Sequence, residues 1–166
     1  MSFFGLLRRS DLATLTTESI QYAPSKGYCL AHIVKSKTDQ VGDGYTLPII
    51  LHCKAWSWEP DFQLYWEDRQ ATGGAWLPTY DARTKTVQQS KPLTKDAVGK
   101  VLTNRIREAQ AQGHLKATQL AQFASHSLRR GGATFMQRND APEWLIKEMG
   151  RWKSEAFRLY TDPTWS

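Results

Sequence analysis

The stretch Ser125-His126-Ser127-Leu128-Arg129-Arg130-Gly131-Gly132-Ala133-Thr134 decides how the rest of the chain is read. Its spacing predicts a helix from about Ser127 to Gln137. On that helix His126 shares a face with Arg129 one turn later, and the i,i+4 spacing to Arg130 serves nearly as well. Spacing alone therefore leaves both arginines open. Two adjacent glycines inside a helix cost about 1 kcal/mol each relative to alanine, so Gly131 and Gly132 predict the close approach of another backbone.

Working outward, the flanking sequence is helical and basic. Thr94 is read as the cap of a helix running to about Gln112, with Val98, Val101, Leu102 and Ile106 on one face and Gly113 as the stop. A helix is expected from Asp140, which has capping-box spacing to Glu143, to Gly150, and a short one over Glu155 to Tyr160. Towards the N-terminus, Ser10 is read as the cap of a helix from Asp11 to about Thr16. Ser19–Tyr22, Cys29–Lys35 and Tyr45–Leu51 read as three strands, with a polar, Gly-rich hairpin tip over residues 37–44. A helix is expected over Asp61–Gln70, where Phe62, Leu64, Tyr65 and Trp66 supply its apolar face. A short extended piece is expected over Trp76–Tyr80. The expected fold class is α+β, mostly α: a small antiparallel three-stranded sheet packed on a helical bundle, in a single domain spanning residues 1–166.

The chain has 166 residues, 40% of them hydrophobic and 23% charged, which suits a packed core. Its apolar runs fall short of the ~20 residues a membrane span needs, and Met1–Leu7 is too short for a secretory signal. Two cysteines make no disulfide framework. An intracellular location is expected, cytoplasmic in a prokaryote or nuclear in a eukaryote. The net charge of +6 is uneven: residues 1–83 carry −1 and residues 84–166 carry +7. A basic half of this kind points to a polyanion, most commonly nucleic acid.

Other chemistry is disfavoured. Cys29 and His32 fall on opposite faces of one strand, and His52 and Cys53 are adjacent, so no metal site is expected. Gly73-Gly74 has no Gly-Lys-Ser behind it and makes no phosphate loop. Trp56, Trp58 and Trp66 read as core rather than as a stacking platform.

Three further clusters accompany the first: Leu7-Arg8-Arg9-Ser10-Asp11-Leu12, Lys35-Ser36-Lys37-Thr38, and Met149-Gly150-Arg151-Trp152-Lys153 with Tyr160 behind it. In this order the four resemble the catalytic domain of tyrosine recombinases, the phage-integrase family, over about residues 5–161. The resemblance implies site-specific DNA cleavage and rejoining through a covalent 3′-phosphotyrosine, with neither metal nor cofactor. It implies Arg8 as the first catalytic arginine with Asp11 supporting it, Arg9 as a bystander, and Lys37 as the hairpin general acid, with Lys35 in reserve. His126 and Arg129 match the His-x-x-Arg pair, and Tyr160 matches the nucleophile. Where the family has His or Trp, Arg151 stands in register; a one-residue shift brings Trp152 there, with Arg151 in support. Lys35, Arg130 and Lys153 are expected to contact DNA.

Double-stranded DNA is the implied partner, with tetrameric self-association on DNA for a full-length protein. Only seven residues precede Arg8, so the resemblance implies an N-terminally truncated catalytic domain lacking the family's separate DNA-clamping domain. Two other readings share these residues: a type IB topoisomerase-like nicking-closing enzyme, and a non-catalytic DNA-binding remnant of a mobile-element recombinase. The chemistry suits the residues. Attack of a tyrosine hydroxyl on a phosphodiester gathers negative charge on phosphoryl oxygens that arginines can hold, each donor set being worth roughly 3–4 kcal/mol.

Overall fold

The computed structural model describes residues 1–24, 26–34, 44–53, 56–114 and 126–161. Lys35 and Lys37 lie outside the described residues. The described chain is α+β, with five α-helices, a three-stranded antiparallel sheet and further strand pairs. Its contacts sort into two compact units, Ser10–Leu93 and a second formed by Met1–Arg9 with Thr94–Ser166.

The first unit is built on β1 (Ile20–Tyr22), β2 (Tyr28–Ile33) and β3 (Tyr45–Ile50), in the order β1-β2-β3. Tyr28 pairs with Ile50 and Ile33 with Tyr45. Alternation buries Cys29, Ala31, Ile33, Leu47 and Ile49 on one face. Burial pushes the Cys29 thiol up to about 12. His32 stands on the other face, its Nδ1 2.9 Å from Thr46 Oγ1. Two-residue strands β4 (His52–Cys53) and β5 (Trp56–Ser57) lead into α2 (Glu59–Thr72). The expected four-residue apolar face of α2 needs correction, since Leu64 is exposed and only Phe62 of the four is buried. Leu64 lies about 200° around the helix from Phe62, and the inward face continues from Phe62 to Arg69 instead.

Phe62 packs against Tyr22, Trp58 and Trp76, with ring centroids 5.2–5.8 Å away. Arg69 is buried and donates from Nη1 to Gln89 Oε1 (2.6 Å) and from Nη2 to the Gly73 carbonyl (2.5 Å). Gln89 belongs to a hairpin: the extended piece expected over Trp76–Tyr80 corresponds to β6 (Pro78–Asp81), and it pairs with β7 (Thr86–Pro92), which the sequence did not mark. The hairpin turn is local chemistry, because Asp81 Oδ1 accepts from the backbone N–H groups of Arg83 and Thr84. The seven residues of β7 are mostly polar and exposed, which erased the alternation that marks a strand.

The first helix, α1, runs Arg9–Thr14 rather than Asp11–Thr16, so Ser10 is inside it and does not cap it. Thr17–Ser19 forms a 3-10 turn, which shortens β1 at its start.

The second unit is helical: α3 (Lys95–Ala111), α4 (Ser127–Arg138), α5 (Glu143–Gly150) and a 3-10 turn over Glu155–Leu159. Thr94 caps α3, its hydroxyl accepting from the Ala97 N–H at 3.2 Å. Val101, expected on the inner face of α3, is exposed. The expected start of α5 at Asp140 is corrected to Glu143. Asp140 takes a left-handed φ of 57°, and Pro142 pushes the residue before it away from helical geometry. The Pro142 carbonyl then accepts from Leu145 and Ile146, opening the helix.

Gly131 and Gly132 meet the N-terminal segment as the sequence implied. A Cβ on Gly132 would lie 2.0 Å from the Phe3 carbonyl oxygen, and one on Gly131 would lie 3.0 Å from the Phe3 ring. Phe3, Phe4 and Phe135 form a ring cluster with centroids 4.6–6.0 Å apart. Leu6, Leu7, Val98, Ala133, Ile146, Met149 and Phe157 are buried in this unit. No helix among the described residues is long and apolar enough to cross a membrane.

Candidate functional site

Arg8, His126, Arg129, Arg151, Trp152 and Tyr160 all belong to the helical unit. Asp11 belongs to the other unit and is buried.

His126 is the residue before α4, and its carbonyl accepts from the Arg130 N–H at 2.8 Å. One turn into the helix, Arg129 is only 2% exposed, whereas Arg130 faces solvent. A step of 100° separates the two, and it settles which arginine turns inward. The Arg129 guanidinium donates from Nη1 to the Leu6 carbonyl and from Nη2 to the Gly150 carbonyl. One side chain thus joins the N-terminal segment, α4 and the end of α5. Its Cζ also lies 4.2 Å from the centroid of the Trp152 ring and 5.9 Å from that of Tyr160, close enough for cation–π attraction.

The turn after α5 places Trp152 under that guanidinium. The helix ends at Gly150 as the sequence implies, and Arg151 after it adopts the left-handed conformation, with φ 55°. The Trp152 N–H then closes onto the Lys147 carbonyl at 3.0 Å. Gly150 serves another purpose. A Cβ there would fall 1.7 Å from Trp152 Cζ3, inside the indole. The sequence signal for this was the Gly-Arg-Trp order itself, which shows a glycine two residues before a large ring but not that the ring folds back.

Tyr160 ends the 3-10 turn. Its N–H donates to the Phe157 carbonyl (2.8 Å), and its own carbonyl accepts from Thr134 Oγ1 of α4 (3.1 Å). Its ring is half-buried, 5.1 Å from that of Trp152. On the outer side, Glu155 pairs with Lys147 (2.6 Å) and Arg158 (2.9 Å), and Arg158 also reaches Glu143 (3.0 Å). These exposed pairs are each worth little, but as a network they hold the turn against α5. Lys153 and Arg130 are exposed.

Four charged or titratable groups converge here. Partial burial holds the His126 imidazole below its ordinary value, and the charges of Arg129, Arg9 and Arg8 push it further in the same direction. Its neutral form is therefore favoured at pH 7, when it can accept a proton. The same crowd of cations attracts an anion, and binding one would reverse the push on His126. Arg9, read as a bystander, is part of this electrostatic environment; its role was invisible in sequence because nothing marks which of two adjacent arginines faces a given site.

The arrangement offers a histidine in the field of three arginines, held below its ordinary value, and a tyrosine ring held by its backbone and by stacking. Comparison with models of known protein families and with curated proteins gives no match.

Proposed function

We propose that the chain is a tyrosine-recombinase catalytic domain, which cleaves and rejoins duplex DNA through Tyr160. The observation that carries this reading is the convergence of Arg129, Trp152 and Tyr160 within stacking distance, beside a histidine that feels Arg8, Arg9 and Arg129. Of these, Arg8, His126, Arg129, Trp152 and Tyr160 are residues that the family resemblance selects from separated parts of the sequence.

In this mechanism the Tyr160 hydroxyl oxygen attacks the scissile phosphorus. The bond to the 5′ oxygen breaks, and a 3′-phosphotyrosine forms. Neutral His126 takes the tyrosine proton, and the leaving oxygen gains one from a general acid, the role that the resemblance gives to Lys37. Arg8 and Arg129 stabilise the charge that grows on the non-bridging oxygens. Two of the five N–H donors of Arg129 already serve carbonyls, so its part is as much to hold the Tyr160 and Trp152 segment as to supply charge. The phosphotyrosine conserves the energy of the bond, so resealing needs no nucleotide. That same commitment of Arg129 to backbone carbonyls also suits the second reading, a DNA-binding remnant without chemistry.

The test is a denaturing gel of the chain mixed with duplex DNA carrying a nick near the cleavage position, which traps a covalent product. A DNA-linked band that disappears in Tyr160→Phe supports the recombinase reading. Reversible DNA binding with no such band, or an equal band in Tyr160→Phe, overturns it, the former in favour of the remnant.

A further inference from the structure

We infer that Arg9 and one face of α3 form a second DNA-contacting strip, a groove that receives the phosphodiester backbone beside the reacting phosphate. This rests on the proposed DNA substrate but not on cleavage. Arg9, Asp96, Gly99, Lys100, Thr103, Asn104 and Arg107 line an open groove of about 490 Å³. The α3 members recur at intervals of three and four, so they form one continuous stripe.

Arg9 is seated in the groove rather than merely near it. Its Nη1 lies 2.6 Å from where a Cβ on Gly99 would stand, so the guanidinium rests against the helix at the glycine and would have to shift to admit a larger residue there. Asp96 Oδ1 is 4.0 Å from the same nitrogen, at the outer reach of an ion pair, and the Arg9 side chain is 32% exposed. Further along, Arg107 Nη1 donates to Asn104 Oδ1 at 3.4 Å and the Thr103 hydroxyl donates to the Gly99 carbonyl at 3.0 Å. Lys100 and Arg107 are exposed, and neither is ion-paired with a described residue. Three cations against one carboxylate leave the groove with an excess of two positive charges.

Elsewhere on the same helix one arginine is neutralised. Arg105 is bound to Glu108 at 2.7 Å and lies about 200° around α3 from Arg107. The helix thus carries an open cationic groove and, away from it, one neutralised arginine, with Lys95 exposed in the first turn. Arg9 also contributes to the field at His126, which links the groove electrostatically to the candidate active site. A polyanion with regularly spaced charges, the backbone of a duplex, matches a stripe of this length and sign.

The experiment is fluorescence anisotropy with a labelled 20-base-pair duplex, repeated over a series of salt concentrations, on the full chain. Lys100→Gln and Arg107→Gln are each expected to weaken binding about fivefold to tenfold near 0.1 M salt and to lower the log–log salt slope by about one. Arg105→Gln, with the same change in formal charge, should leave both within about twofold. Circular dichroism of each exposed-site variant checks that the helix is retained. Equal losses in all three variants, no loss in Lys100→Gln and Arg107→Gln, or no duplex binding by the parent chain would each overturn the inference. Failure of covalent trapping with the slope effect intact would leave this surface standing and remove only the cleavage reading.

Discussion

Replacing Gly150 by alanine tests whether Trp152 is held by the space that glycine leaves. The new Cβ would meet the indole at 1.7 Å, so the ring must retreat by at least about 1.7 Å to reach an ordinary contact near 3.4 Å. That displacement opens the contacts that the ring makes with Arg129 at 4.2 Å and Tyr160 at 5.1 Å. A partly buried cation–π contact is worth about 0.5–2 kcal/mol and an aromatic pair about 0.5–1.5 kcal/mol. Against this, alanine gains up to about 1 kcal/mol over glycine in a helix, less at a last helical position. The expected net loss is about 1–2 kcal/mol, or a fall of several degrees in Tm for a chain of this size.

Urea unfolding of Gly150→Ala, Trp152→Ala and the double variant isolates the effect. With the ring gone the added methyl has room, so Gly150→Ala should cost nothing or stabilise slightly in the Trp152→Ala background. A coupling of at least about 1 kcal/mol is expected. An equal cost in both backgrounds would show that Gly150 matters for some reason other than the indole. Because Tyr160 leans on the same ring, covalent trapping should slow in Gly150→Ala while duplex affinity stays near that of the parent.

Gly132→Ala should destabilise by about 2–3 kcal/mol, because its methyl would meet the Phe3 carbonyl oxygen at 2.0 Å and that backbone also presents Leu6 to Arg129. Gly131→Ala, which meets only the edge of the Phe3 ring, should be much milder, and matching urea midpoints for the two would refute the close-approach account. For His126, the folded value lies below 6.5, so the unfolded chain takes up a proton at a higher pH than the folded one. The contribution is fully present above about pH 6.5 and lost as pH falls towards the folded value; His126→Asn should flatten that part of the stability profile, and an NMR titration of His126 with its midpoint at or above 6.5 in the free chain would contradict it.

How much was legible in the sequence varied with the kind of signal. Strands β2 and β3 were readable within one or two residues because alternation leaves its mark when one face is buried, as Cys29, Ala31 and Ile33 are. The cap at Thr94 was equally plain, since it depends on a hydroxyl reaching an N–H three residues away. Strand β7 and its pairing with β6 were not legible because β7 is largely exposed and its partner for burial, Arg69, is a charged residue that looks like surface. Asp140 misled because a capping-box spacing is only a local preference, and Pro142 two residues later overrode it.

For the candidate site, the sequence by itself determined the residue types, their order, the basic half of the chain, and the need for close approach at Gly131-Gly132. These depend on composition and helical period, which are local properties. Only the tertiary structure decided that Arg129 turns inward while Arg130 faces solvent, that Trp152 folds back over Gly150, and that Arg9 lies along α3 against Gly99. Each of those outcomes depends on which distant backbone or ring occupies the space beside a residue, and spacing along a chain carries no record of that.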